Sequence, residues 1–220
     1  MEIDNVPLPE DIVQGVREAR GNFATKNASY RRAVCNHLGL QWRSINGAGN
    51  CFFAAVSTSL LATLPPDRTN HLVGEKRLRA LVVEWLEHQT RLDGLDDDLA
   101  ERVQVEIDAE LHVRSFYFAQ LKRLTLTFQV TLQCSKRGLT DRTPTTRAEY
   151  LKAVAVDGVW IQGYHWMRAV STIAMVRVGL VIYSFDSVIY FGQGDETIYL
   201  YKVWLFLSAD HSSHSPSRLM

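Results

Sequence analysis

The sequence predicts an α+β domain in which helices pack on a small, mostly antiparallel sheet. Three observations lead there: helix-like patterning through most of the chain, strand-like composition after Val176, and a length of 220 residues that suits one core. Helices first and strands last favour a sheet packed against helices over a closed barrel. Apolar residues at 46% and charged residues at 22% are ordinary globular values, which excludes wholesale disorder, collagen and coiled coil.

After a polar lead-in, Asp11–Arg20 and Ala28–Leu38 read as two short helices, the second ended by Gly39. Gln41–Asn46 alternates polar and apolar like a short strand, and Asn46-Gly47-Ala48-Gly49-Asn50 is a run of turn residues. Cys51–Leu61 is apolar enough for a buried helix. Leu78, Leu81, Val82, Trp85 and Leu86 recur at helical spacing, which makes Asn70–His88 an amphipathic helix with one core face. Asp93–Glu110 holds eight acidic residues against Arg102, and Val113–Arg147 holds seven basic residues against Asp141, so the two halves can pair or face water. Gly138–Thr146 has loop composition; Arg147–Val156 and Gly163–Ala174 follow as helices. Val176–Phe185, Ser187–Phe191 and Thr197–Leu207 carry the Val, Ile, Tyr and Phe of strands, and Gly192-Gln193-Gly194-Asp195 signals a hairpin between the last two.

Charge and cysteine usage narrow the function classes. Lys and Arg number 24 and Asp and Glu number 24, so the chain lacks the basic footprint of a nucleic-acid binder. Its most apolar stretch, Val178–Phe185, falls far short of the roughly 20 residues that cross a bilayer. Cys35, Cys51 and Cys134 are an odd and scattered set, and the acidic opening has no signal-peptide core. A reducing, intracellular setting (cytoplasm or nucleus) and a monomer are the expectation.

Cys51 is the most informative residue, because it stands where a glycine-rich loop becomes a helix. The helix N-terminus favours a thiolate there, and small residues at Gly47, Ala48 and Gly49 let backbone N–H groups turn toward a developing oxyanion. Taken alone, such a cysteine is more commonly a small core residue. A thiolate at neutral pH needs an imidazole, and His211 and His214, placed after the last strand, are the candidates. His165, at the start of a helix, is expected to cap or pack. Cys35-x-His37 and His211-x-x-His214 lack the spacings of structural zinc sites, so no metal is expected. Gly47-Ala48-Gly49-Asn50-Cys51-Phe52 begins like a dinucleotide fingerprint, but Phe52 obstructs the close helix packing that a last small residue permits.

Ile45-Asn46-Gly47-Ala48-Gly49-Asn50-Cys51-Phe52-Phe53-Ala54-Ala55 resembles the nucleophile motif of the ovarian-tumour (OTU) domain cysteine proteases. Gly158-Val159-Trp160-Ile161-Gln162-Gly163, followed by a helix and a strand, is similar to that family's Trp-Gly segment, and His211 follows the final strand as the family's catalytic histidine does. The resemblance implies a papain-like fold, with residues 1–40 a helical lead-in, 41–214 the catalytic domain and 215–220 a polar tail. It implies hydrolysis of ubiquitin or a ubiquitin-like modifier from conjugates, without metal or organic cofactor. Cys51 is then the nucleophile, His211 the base and acid, His214 an alternative base, and Gly47, Ala48, Gly49 and Asn50 the oxyanion loop. Two positions depart from the family pattern: Ala48 replaces an Asp, and Ser213 stands where a carboxylate or amide would orient the imidazole. A domain that binds ubiquitin without turning it over is the alternative.

Overall fold

The computed structural model describes residues 3–45, 50–91, 98–125 (113–125 as backbone only), 144–156, 161, 163–183 and 185–202. Strands β1 (Ile3–Pro7), β2 (Arg177–Ile182), β3 (Ser187–Phe191) and β4 (Thr197–Lys202) form one sheet in the order β1-β3-β2-β4. β3 is antiparallel to both of its neighbours, with Ile3 opposite Phe191 and Val178 opposite that same residue on the other side. β4 runs parallel to β2, Arg177 opposite Thr197 and Ile182 opposite Lys202. The class is therefore α+β, with a mixed sheet in which antiparallel pairing predominates.

Strand alternation divides the sheet's two faces. Val178, Leu180, Ile182, Ile198 and Leu200 point into the larger core, against α3 (Cys51–Thr63), α5 (Glu75–Arg91), α6 (Asp98–Thr125), α7 (Arg147–Val154) and α8 (His165–Ala174). Phe53, Val56 and Leu60 of α3 are fully buried there, and each such side chain stabilises the fold by roughly 1.5–3 kcal/mol. The opposite face presents Val181, Val188 and Tyr190 to α1 (Glu10–Glu18) and α2 (Phe23–Leu38), which supply Val13, Tyr30 and Val34.

Local chemistry accounts for the helix ends. Asn22 caps α2 by accepting from the Thr25 N–H at 3.0 Å, and Gly39 closes it at φ 66°, a left-handed conformation that glycine adopts without strain. Thr146 caps α7 through the Glu149 N–H at 3.2 Å, while Glu149 reaches back to accept from the Thr145 N–H at 2.8 Å. The amphipathic helix begins at Glu75 rather than Asn70. Residues before it form the single turn α4 (Pro66–Thr69) and a bend at Gly74, whose N–H donates to the Ser57 hydroxyl at 3.0 Å. Acidic and basic halves of the middle region do pair at one point: Arg147 grips Asp108 through Nε at 2.8 Å and Nη2 at 2.5 Å.

Three expectations are corrected. Gly192–Asp195 does not make a hairpin, because β4 crosses to the far side of β2. The glycines serve close approach instead: a Cβ on Gly194 would lie 2.8 Å from the Val176 Cα, so the chain passes tight against the start of β2. Residues 41–45 are irregular, not a strand; the alternation there anchors side chains, with Trp42 edge-on to Tyr201 at 5.6 Å and under the Arg31 guanidinium at 4.3 Å. Within the polar lead-in, Ile3–Pro7 forms an edge strand, a position that tolerates Pro7.

Burial of the tyrosines between the sheet and α2 has a consequence for stability. The Tyr30 hydroxyl donates to the Phe185 carbonyl at 2.8 Å, and Tyr201 donates to Asn27. Desolvation raises both phenols well above the usual tyrosine range and pushes Tyr199 up to about 12. A phenol with a raised folded value keeps its proton while the unfolded chain loses it, so stability is full below pH about 10 and falls above it. Urea midpoints should drop above that pH as phenolate absorbance rises; a flat profile would contradict the burial.

Candidate active site

α3 begins at Cys51, with Asn50 as the residue preceding its first turn. Asn50 makes no side-chain cap to the helix. Its Oδ1 accepts from Arg79 Nη2 at 2.7 Å instead, and its carbonyl accepts from the Ala54 N–H at 2.9 Å. Arg79 also donates from Nη1 to the Val154 carbonyl at 2.5 Å and lies 4.6 Å above the Phe53 ring. The guanidinium thus ties the start of α3 to the end of α7.

The Cys51 thiol is 5% exposed, and burial pushes it up to about 11. The N–H groups of Cys51 and Phe52 and the Arg79 charge pull in the opposite direction, while Glu75 adds to the rise. The helix N-terminus therefore acts in the expected sense, but desolvation outweighs it and the resting sulfur is a thiol. Lys202, at the end of β4 on the face shared with Ile198 and Leu200, is pulled down to about 8 by its own burial, against the charges of Glu110 and Cys51. Its charge and that of Arg79 both reach the sulfur.

Behind this lies a buried polar cluster. His165 is fully buried as the first residue of α8, its Nε2 3.0 Å from the Tyr150 hydroxyl and 3.4 Å from Glu110 Oε2. Trp166 Nε1 donates to the same hydroxyl at 3.2 Å. Gly163, at φ 97°, makes room for the pair, since a Cβ there would sit 2.7 Å from Glu110 Oε2. His165 accordingly packs, as its sequence position indicates.

Of the other residues read as functional, Gly47, Ala48 and Gly49 of the loop, and His211, Ser213 and His214, lie outside the described residues. So do Gly158–Trp160 and Gln162 of the Trp-Gly segment, whereas Ile161 is buried. Among the described residues, no three His, Cys, Asp or Glu side chains gather as a metal site requires, and no helix is long and apolar enough to cross a membrane. A cavity of about 300 Å³ opens between α2, residues 40–45, α3 and β4, lined by Trp42, Ala55, Thr58 and Tyr201 among others; Cys51 does not line it.

Arg79 and Lys202 are the neighbours of Cys51 that the motif reading missed. Both left a signal. Arg79 is three residues before Val82 and seven before Leu86, a charge placed on an apolar stripe, and Lys202 continues the buried alternation of Ile198 and Leu200.

No family model matches the chain, and no curated protein matches it. Among solved structures it aligns with the OTU domain of OTUD1 at a TM-score of 0.40 and 15% identity, covering 84% of this chain and 91% of that one. That likeness is too distant to carry an argument.

Proposed function

We propose that this chain is a cysteine-dependent hydrolase of the OTU type that removes ubiquitin or a ubiquitin-like modifier from conjugates, working as a monomer in a reducing compartment. The observation that supports it most is Cys51 as the first residue of a buried helix, directly after Asn50, where the N–H groups of Cys51 and Phe52 favour its thiolate. Together with the motif residues Ile45–Ala55, this gives one loop both a nucleophile and an oxyanion site.

In this reading Cys51 Sγ attacks the carbonyl of the modifier's C-terminal glycine while His211, or alternatively His214, takes the thiol proton. The same imidazole gives that proton to the departing amine, and the thioester is cleaved by water that it activates. Burial holds the thiol at about 11, so little thiolate is present at pH 7 without the imidazole's help. No metal or organic cofactor enters these steps.

One observation favours the second reading, a ubiquitin-binding domain without turnover: Cys51 is almost wholly buried. Ubiquitin bearing a C-terminal electrophile separates the two. A covalent adduct of the intact protein supports the hydrolase, and saturable binding without an adduct supports the binding domain. Neither binding nor adduct removes both.

A further inference from the structure

We propose that Arg79 is a positioning residue for Cys51, holding the sulfur-bearing end of α3 and supplying the fixed positive charge that its thiolate needs. The inference rests on the hydrolase reading for its purpose but not for its geometry. A guanidinium that is 2% exposed touches the chain on both sides of the cysteine: Asn50, one residue before, through Nη2 at 2.7 Å, and Phe53, two residues after, by stacking at 4.6 Å. Its other arm is anchored outside α3, on the Val154 carbonyl at 2.5 Å.

Burying a cation is expensive, and an aliphatic residue on the same stripe as Leu78, Val82 and Leu86 would fill the space at no such cost. Arginine adds two things there. Its planar fork fixes two acceptors at once, so Asn50 cannot swing away and the turn into α3 is held. Its charge favours the anionic sulfur, which burial alone disfavours. Among the described residues, the other charges facing Cys51 are Glu75 from α5, which opposes the thiolate, and Lys202 from β4, which supports it and is itself drawn toward Glu110 of α6. Lys202 is pulled down to about 8, so its charge fades in the mildly alkaline range; the guanidinium keeps its charge at every working pH.

The test is the apparent pH midpoint of Cys51 alkylation by iodoacetamide, read from rates between about pH 7 and 10 where the fold keeps its stability, and followed by peptide mass spectrometry so that Cys35 and Cys134 are counted separately. Arg79→Gln is expected to raise that midpoint by about one pH unit and Arg79→Lys to restore it. Both substitutions break the fork, so capture by the ubiquitin electrophile should fall about tenfold or more in each. A folded Arg79→Gln protein with an unchanged midpoint overturns the proposal, because a purely structural arginine would alter melting and leave thiol acidity alone. Should Arg79→Gln not fold, Asn50→Ala decides: releasing the guanidinium from the loop is expected to raise the midpoint, and no change overturns the proposal. If wild-type protein never reacts with the ubiquitin electrophile, the hydrolase reading fails, while the alkylation midpoints still judge Arg79.

Discussion

Cys51→Ala is expected to abolish covalent capture of a ubiquitin electrophile and to leave the fold and any non-covalent binding in place. Loss of one buried sulfur removes little apolar area, about 1 kcal/mol, against the roughly 5–15 kcal/mol that holds a domain of this kind. Cys35→Ala is the control, since that thiol lies on α2 and lines the cavity that Cys51 does not line, and its loss should leave the adduct intact. An adduct that persists in Cys51→Ala, on Cys35 or Cys134, would sink the assignment. The pH profile adds a second check. Burial has raised the thiol to about 11, so an unassisted sulfur would react about tenfold faster for each pH unit up to that value. A histidine base predicts a plateau near the ordinary imidazole range instead. A rate that climbs through pH 9 without levelling leaves Cys51 without its imidazole.

Gly192→Ala is expected to destabilise the protein by about 3 kcal/mol or more. The backbone there has φ 78°, which strains any residue with a Cβ by roughly 1–2 kcal/mol. The added methyl would also fall 1.6 Å from the Ser171 hydroxyl oxygen and 2.7 Å from its Cβ. Overpacking of that kind typically adds about 1–3 kcal/mol. The Ser171 hydroxyl cannot move without penalty, because it donates to the Val176 carbonyl at 2.6 Å and is buried. Ser171→Ala in the same chain should recover part of the loss and not all of it, since the Cβ contact and the strain remain. Urea unfolding of the single and double variants measures this; equal stability of Gly192→Ala and wild type would mean that the turn is built differently.

Sequence patterning located what depends on near neighbours. Gly39 ends α2, Cys51 begins α3, and Ser187–Phe191 is β3 to the residue, because caps, helix periodicity and β-branched runs are local. It missed β1, whose five residues are all exposed along an edge and so show no buried alternation. The partner of β4 was misread for a related reason: Gly192 and Gly194 carry the composition of a hairpin, yet their use is decided by how tightly the chain must pass Ser171 and Val176. At the candidate site, the cysteine was visible through its loop, whereas Arg79 and Lys202 lie distant in sequence and meet it only through the packing of α5 and β4. His211 remains an expectation of the sequence.

The pairing of residues 3–7 with residues 187–191 also bears on the order in which the molecule can assemble. A ribosome releases Ile3–Pro7 well before residues 187–191, so this edge waits while the helical segments between them gather first. Such distant closure slows folding and prolongs the exposure of unpaired backbone. Low temperature or a chaperone during expression should therefore raise the yield of native protein more than any change to the helices.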